Sequence, residues 1–163
     1  MRIKVILSCI SLAGLPIISE ASDLFEAYEM SVDVLGYYAT HDKDGADKNA
    51  WGYGAGFNYF FTENIGAGVD TYSDAFTAPY MLNFSGVFRY PLRDTGFAPY
   101  GFAGFGRQWR YEPQWQGHVG GGIEYRGLHP GIGLFSDIRW VIPDRTPNYA
   151  VFRFGVRFKL GRF

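Results

Sequence analysis

The sequence predicts an all-β protein: an eight-stranded, antiparallel, up-and-down β-barrel that spans a membrane. Aromatic residues make up 19% of the 163 residues and glycine occurs 22 times, while leucine and alanine are not prominent. Apolar and polar residues alternate with a period of two in eight segments, and turn residues separate the segments. Each segment holds about 10 residues, which is the length of a tilted strand that crosses a bilayer.

The charge balance and the composition exclude several classes of protein. The chain carries 15 Lys and Arg residues against 16 Asp and Glu residues, which gives a formal net charge of -1. A nucleic-acid partner is therefore not expected, because electrostatic binding to phosphates needs an excess of positive charge. Hydrophobic residues at 47% and charged residues at 19% argue against a disordered chain. The length fits one domain.

The first residues have the pattern of a secretory signal peptide. Arg2 and Lys4 form a short positive region, an uncharged apolar stretch follows, and small residues stand at its end. We predict that residues 1–21 are cleaved and that residues 22–163 form the barrel. The apolar stretch is shorter than the ~20 residues of a membrane-spanning helix. Cys9, the only cysteine, lies too close to the positive region for a lipoprotein signal, and the mature chain is expected to form no disulfide.

The alternating segments give the predicted strands and their pairing. In the last segment, Phe152, Phe154 and Phe158 alternate with Arg153 and Arg157. None of the connections is long enough for a crossover helix, so neighbouring strands are expected to pair antiparallel. The predicted strands run from Met30 to Tyr38, Trp51 to Phe61, Ile65 to Tyr72, Tyr80 to Tyr90, Tyr100 to Trp109, Gln116 to Tyr125, Ile132 to Trp140 and Val151 to Leu160.

One face of the predicted sheet is polar, and the other is bulky and apolar. The interior of an eight-stranded barrel is just wide enough for side chains to fill it. Glycine and paired charges suit that interior, whereas large aromatic residues suit a surface in contact with lipid. Asp33 and Asp137 are the predicted partners of the cations on the last strand. The predicted lumenal charges are Asp33, Asp70, Arg89, Glu124, Asp137, Arg139, Arg153, Arg157 and Lys159.

Aromatic residues collect at the predicted strand ends, as in the two girdles of a transmembrane barrel. With the first strand starting at the periplasmic side, all 4 tryptophans fall at the outer rim. The predicted girdle residues are Trp51, Trp109, Trp115 and Trp140 at the outer rim, and Tyr90, Tyr100, Tyr125 and Phe158 at the inner rim. The same reasoning adds Tyr37, Tyr38, Tyr72, Tyr80 and Tyr149 to the outer rim, and Tyr28, Phe60, Phe61 and Phe88 to the inner rim.

Three segments carry a resemblance to a known family. They are residues 98–106 (APYGFAGFG), residues 120–126 (GGGIEYR) and the last strand, which ends at Phe163. The terminal aromatic residue resembles the C-terminal signature of bacterial outer-membrane proteins, which the barrel assembly machinery reads. Phe163 is odd-numbered, whereas the apolar residues of the last strand are even-numbered. A bulge at Gly161 would shift the alternation by one residue and place Phe163 on the apolar face. The chain resembles the bacterial outer-membrane β-barrel family that includes the small OmpA/OmpX-type barrels.

The resemblance implies an integral protein of the outer membrane of a Gram-negative cell, with both termini in the periplasm and loops at the surface. It implies outer-membrane lipid and lipopolysaccharide as surroundings, and the barrel assembly machinery as a partner during biogenesis. No cofactor is expected. The surface partner is left open.

Catalysis by histidine is not expected. In lipid A deacylases of this architecture, a serine lies two residues from a histidine, so that the histidine activates it. The residues two positions after His41, His118 and His129 are lysine, glycine and glycine. We therefore predict that the protein is not an enzyme and that no residue is catalytic. His118 is predicted to have a structural role in the lumen beside Glu124.

The segment from Asp42 to Asp47 has a faint likeness to a calcium-binding loop. Only two acids precede Gly45, where an EF-hand has three ligand positions, and Lys43 and Lys48 oppose the acidic charge. We predict a solvated surface loop without a metal site.

The predicted role is structural or one of surface interaction, such as envelope integrity or adhesion, through the loops of the outer rim. These loops are the connections from Thr40 to Ala50, Ser73 to Pro79, Arg110 to Trp115 and Val141 to Tyr149. A narrow channel for small or apolar solutes is the alternative. A lipid A-modifying enzyme and a soluble periplasmic ligand-binding barrel are further alternatives, since a lipocalin-type barrel alternates in the same way.

Overall fold

A computed structural model describes residues 24–40, 50–74, 80–109 and 113–162. These residues form eight antiparallel strands that close into one barrel, with each strand beside its sequence neighbours and β1 beside β8. The fold class predicted from the sequence is confirmed. The described part of the chain contains no helix that is long and apolar enough to cross a membrane. The strands are β1 Glu29–Thr40, β2 Ala50–Phe60, β3 Ile65–Asp74, β4 Met81–Arg89, β5 Phe97–Gln108, β6 Gln114–His129, β7 Ile132–Pro143 and β8 Tyr149–Arg162.

The side chains of each strand alternate between the lumen and the outer surface, as the period of two predicts. The alternation is complete on β7, where even-numbered residues point outward and odd-numbered residues point inward. Leu134 is 43% exposed and Phe154 is 54% exposed, whereas Asp137 is 6% exposed and Arg153 is 7% exposed. The bulky apolar side chains therefore lie outside and the charged side chains lie inside.

The barrel has two rims, which we name by the parts of the chain that they carry. The termini rim carries the start of β1, the end of β8 and the turns at residues 61–64, 90–96 and 130–131. The loop rim lies at the opposite end and carries the turn at residues 144–148. Exposed tryptophans lie at the loop rim: Trp51, Trp109, Trp115 and Trp140. Three predicted girdle residues lie on the outer surface near the termini rim: Tyr90, Tyr125 and Phe158.

The seam between β1 and β8 closes the barrel and contains a bulge. Ser31 pairs with Lys159 while Met30 pairs with Gly161, so Leu160 is left without a partner on β1. Gly161 has a φ of 141°, a backbone conformation that residues with a side chain rarely adopt. The register therefore shifts by one residue beside Gly161, where the sequence predicts a bulge.

Six aromatic residues that were expected in the girdles point into the lumen instead. Four of them are buried there, namely Tyr37, Phe60, Tyr72 and Tyr100, and the other two, Tyr80 and Tyr149, pack against a buried apolar cluster. Tyr100 lies on β5, whose even positions face inward. Tyr37 packs over Gly52 of β2, because a Cβ on Gly52 would lie 2.5 Å from the tyrosine ring. The assignment of these residues to girdles is wrong.

Gly155 of β8 is expected to be needed for closing the seam. A Cβ at this position would lie 2.3 Å from the Val34 carbonyl oxygen and 2.9 Å from the Phe135 ring. We expect Gly155→Ala to lower the free energy of unfolding by about 1–3 kcal/mol, measured by urea unfolding in detergent micelles. Gly117→Ala is the matched control, because nothing lies within 4 Å of a Cβ at that outward-facing position. Equal loss of stability in the two variants would contradict this packing.

Candidate functional site

A cluster of buried ion pairs lies in the lumen near the termini rim. Glu29 at the start of β1 accepts hydrogen bonds from Arg89 of β4, at 3.2 Å, and from Arg126 of β6, at 2.6 Å. Arg126 also pairs with Glu124, two residues away on β6. All four side chains are at most 1% exposed. Glu29 therefore holds three strands together at this end of the barrel.

The segment before β1 covers this cluster. The buried ring of Phe25 contacts both guanidinium groups, with its centroid 4.8 Å from Cζ of Arg89 and 4.6 Å from Cζ of Arg126. Such cation–π contacts are strongest where water is excluded. Arg126 Nη1 also donates a hydrogen bond to the Leu24 carbonyl oxygen at 2.7 Å. Residues 24–28 therefore form a cap over the lumen at the termini rim, which we call the N-terminal cap.

Lys159, one of the predicted lumenal charges, lies at the edge of the lumen rather than in its middle. Its Nζ atom is 3.1 Å from Oε2 of Glu26, which belongs to the N-terminal cap, and both side chains are partly exposed. The pair ties the cap to β8. It stands apart from the buried ion pairs.

Two register-matched ion pairs join β8 to its neighbours. Arg157 faces Asp33 across the β1–β8 seam, with Nε 2.7 Å from Oδ1 and Nη2 2.8 Å from Oδ2. Arg153 faces Asp137 of β7 in the same bidentate way, at 2.6 and 2.8 Å. Asp33 and Asp137 are the partners that the sequence predicts for the cations of the last strand.

Further ion pairs cross the lumen between strands that are not neighbours. Asp70 of β3 accepts two hydrogen bonds from Arg139 of β7, at 3.0 and 2.6 Å, and one from Arg153 at 3.2 Å. Glu124 accepts a hydrogen bond from Arg157 at 2.6 Å. Charge-assisted pairs of carboxylate and guanidinium are strong and geometrically specific. They tie opposite walls of the barrel together.

Neutral side chains bring the two remaining strands into the network. Asn58 of β2 donates a hydrogen bond to Asp33 at 2.9 Å. Tyr100 of β5 donates its hydroxyl to Asp137 at 2.6 Å. All eight strands therefore contribute at least one side chain to the lumenal network. Tyr100, which the sequence places in a girdle, is one of its members.

The buried charges of the described lumen balance. Five carboxylates meet five guanidinium groups: Glu29, Asp33, Asp70, Glu124 and Asp137 with Arg89, Arg126, Arg139, Arg153 and Arg157. Glu29 and Arg126 are absent from the predicted set, because the predicted strands begin at Met30 and end at Tyr125. Extending each alternation by one residue would have found both. Phe25 lies outside any strand, so no periodic signal marks it.

Apolar side chains fill the half of the lumen next to the loop rim. The cluster consists of Leu35, Tyr37, Ala39, Tyr72, Met81, Phe135, Val141 and Val151. Tyr80 and Tyr149 pack against it, and the hydroxyls of Tyr37 and Tyr80 are 2.8 Å apart. Tyr80 and Tyr149 therefore line the lumen, and their assignment to the outer girdle is wrong. We call this group the apolar plug.

A polar cavity lies within the lumenal network. Gly56 of β2 and Gly68 of β3 form part of its wall, and Arg139, Arg153 and Arg157 line it as well. Because two strands contribute glycine here, the arginine side chains of the facing strands do not fill the cross-section completely. A polar space of this size suits water.

His118 lies in the lumen, as predicted, but its partner differs. Its Nε2 atom is 2.8 Å from Oγ of Ser85, and Gly104 of β5 stands between the two residues in the sheet. Glu124, the predicted neighbour, binds two arginines instead. Within the described structure Nδ1 of His118 has no hydrogen-bond partner. Among the described residues, no third group orients His118 in this pair.

Some predicted features lie outside the described residues. They are the signal peptide (residues 1–21), the calcium-like segment with His41 (residues 41–48) and the terminal residue, Phe163.

Similarity to solved structures identifies the fold. No protein-family profile matches the chain, and no curated protein sequence matches it. The N-terminal β-barrel domain of OprF from Pseudomonas aeruginosa aligns with a TM-score of 0.63 and 14% identity, over 83% of this chain and 99% of that domain. OprG from the same organism aligns with a TM-score of 0.58 and 11% identity, over 85% of this chain and 98% of OprG. Ail, the attachment invasion locus protein of Yersinia pestis, aligns with a TM-score of 0.50 and 14% identity, over 81% and 97%.

The chain thus has the fold of the eight-stranded outer-membrane β-barrels. The resemblance to the small outer-membrane barrels is confirmed at the level of the fold. Identities of 14% or less carry the architecture alone, so the role is argued from this chain's own lumen and surface.

Replacing Glu29, the carboxylate that Arg89 and Arg126 share, is expected to destabilise the barrel. Glu29→Gln leaves Arg89 and part of Arg126 as buried cations without a counter-charge, so we expect a loss of about 3–5 kcal/mol in the free energy of unfolding. Urea unfolding in micelles measures it. Glu63→Gln, at an exposed acid of the same rim, is the matched control and is expected to change stability by less than about 0.5 kcal/mol. A Glu29→Gln variant as stable as this control would show that the cluster does not hold the barrel together.

Proposed function

We propose that the protein is an integral outer-membrane barrel with a closed lumen and a structural or surface-interaction role. The observation that carries the proposal is the filled lumen. The apolar plug occupies the loop-rim half, ion pairs span the middle, and the N-terminal cap covers the termini rim. An eight-stranded barrel leaves little space beyond its own side chains. The outer surface and the loop rim are then the parts of the protein that interact with other molecules.

The outer surface supports insertion into a membrane. Its outward-facing side chains between the rims are large, apolar and exposed, among them Val34, Phe57, Phe84, Phe105, Val119, Ile123, Leu134, Ile138, Phe152 and Phe154. A continuous apolar belt of this extent is a membrane or protein interaction surface. Tryptophans at one rim match the level of the lipid headgroups. A soluble ligand-binding barrel would place such residues inside.

The proposed orientation sets the termini rim in the periplasm and the loop rim outside the cell. Transmembrane barrels of this type have short turns on the periplasmic side and longer loops outside. Two of the three termini-rim turns are short, at residues 61–64 and 130–131, and the third spans residues 90–96. At the loop rim, residues 41–49 join β1 to β2 and form a longer connection than any of these turns.

The closed lumen has a direct electrical test. Protein that migrates as the compact barrel on an unheated gel, and that stays in the membrane pellet after alkaline washing, is expected to be silent in a planar bilayer. The polar cavity is the observation that favours a second candidate, a narrow channel. Steady single-channel conductance from the folded protein would overturn the closed-lumen proposal in favour of the channel. Release from the membrane without detergent would overturn the membrane proposal itself.

The surface-interaction role is tested by removing part of a loop. Deletion of residues 42–48, which lie in the connection between β1 and β2, is expected to weaken binding of cells to a host-matrix or cell surface. The compact form on an unheated gel should persist, because the deletion spares every described strand. Unchanged binding would leave the barrel as a structural component of the envelope and contradict an adhesive role for this loop.

A further inference from the structure

Arg107 is an exception on the outer surface. Of the strand side chains that the structure describes, it is the only arginine, lysine or carboxylate on an outward-facing position. It belongs to β5, two residues before Trp109 at the loop rim. All the other described strand arginines point into the lumen, where carboxylates meet them. An outward cation next to an apolar belt calls for a separate explanation.

Trp115 holds the Arg107 side chain in place. The two residues face each other across the β5–β6 pair. The guanidinium carbon of Arg107 lies 5.4 Å from the centroid of the Trp115 ring, within the range of a cation–π contact. No described carboxylate forms an ion pair with Arg107. Its hydrogen-bond donors therefore remain available to an anion from outside the protein.

A second guanidinium belongs to the same part of the rim. The backbone N–H of Asp144 donates a hydrogen bond to the Trp115 carbonyl oxygen at 3.1 Å, which fixes the turn after β7 beside Trp115. Arg145 follows in that turn and is exposed. The structure describes no acidic partner for it either. Arg107 and Trp115 form a basic-aromatic patch at the loop rim, and Arg145 lies in the turn next to it, after the exposed Asp144.

The patch lies at the depth of the lipid headgroups in the proposed orientation. Tryptophan rings prefer the boundary between acyl chains and water. The Arg107 guanidinium lies over such a ring, which places it at the level of the lipid phosphates in that orientation. Guanidinium groups bind phosphate oxygens in a bidentate fork, which gives both strength and specificity.

We propose that Arg107, supported by Arg145, binds a phosphate of a phosphorylated glucosamine lipid, the lipid A part of lipopolysaccharide, while Trp115 packs against its acyl chains. The proposal rests on the proposed membrane function and orientation, because lipopolysaccharide fills the leaflet next to the loop rim. A lipid A phosphate sits on a rigid, multiply acylated sugar. It can therefore meet a fixed guanidinium and an adjacent ring together.

The test uses the folded protein in phosphatidylcholine micelles or vesicles. Diphosphoryl lipid A, dephosphorylated lipid A and phosphatidylglycerol are added in separate titrations. Tryptophan fluorescence gives the apparent Kd, and native mass spectrometry counts the lipid molecules retained. Wild-type protein is expected to retain diphosphoryl lipid A in preference to the other two lipids. Arg107→Gln is expected to raise its Kd about fivefold, as loss of one charge-assisted contact implies, and Arg107→Lys is expected to recover part of that loss.

Arg93→Gln is the matched control, because Arg93 is an exposed arginine in the turn at residues 90–96 of the termini rim. It is expected to leave the Kd unchanged. The proposal is overturned by an Arg107→Gln variant that binds as the wild type does, by an equal effect of Arg93→Gln, or by equal binding of phosphatidylglycerol. Protein that fails to insert into vesicles contradicts the proposed membrane function, whereas inserted protein that does not select lipid A overturns this inference alone.

Discussion

Five arginine side chains end inside a cylinder only wide enough for side chains, and each guanidinium meets at least one carboxylate. Removing a charge from water costs several kcal/mol, and mutual attraction offsets this only where the geometry is good. The net stability from such pairs is small, but the cost of breaking one is large. The main effect of the network is therefore on conformational specificity. Only the native strand pairing brings every charge to its partner, and any other pairing leaves buried charges unpaired, which is unfavourable.

Register is the property that this network specifies most strictly. A slip of one residue would turn every side chain of a strand to the opposite face. On β8, such a slip would move Arg153 and Arg157 into lipid, where an arginine near the bilayer centre costs about 2–4 kcal/mol. It would also bring Phe152 and Phe154 into a lumen that has no room for them. Ion pairs that cross the lumen, such as Asp70 with Arg139, join strands that are not neighbours. They form only when the barrel closes, so they favour the closed barrel as well as the correct register of each strand pair.

The lumen is divided along its length, and the division bears on function. Carboxylates and arginines occupy the middle and the termini-side half, while the apolar plug occupies the loop-rim half. Glycines at facing positions make room for large rings, as Gly52 does for Tyr37. A conducting pore would need the plug and the ion pairs to rearrange together. The closed interior leaves the lipid-facing belt and the loop rim as the surfaces on which the protein acts.

The period of two was sufficient to predict the eight strands. The narrow interior of an eight-stranded barrel then gave the direction of each face, and strand order gave the aspartate partners of Arg153 and Arg157. The period of two failed where the local pattern was weak. β5 is rich in glycine, so its sequence did not show that Tyr100 faces inward. Glu29 and Arg126 lie at strand ends, where alternation stops being visible. Partners across the lumen, such as Ser85 for His118, depend on the curvature of the closed barrel, which no single strand encodes.

Lipid exposure along β7 tests the central assignment of faces most directly. Single cysteines would replace the residues from Leu134 to Val141 one at a time in residues 22–163, which contain no cysteine of their own, and each cysteine would carry a spin label in lipid vesicles. Collision rates with molecular oxygen, which concentrates in the bilayer, should peak at the even positions Leu134, Ile138 and Trp140 and fall at the odd positions Phe135, Asp137 and Arg139. A profile with the opposite phase, or with no period of two, would contradict a barrel that keeps its charges inside and its large apolar side chains in lipid.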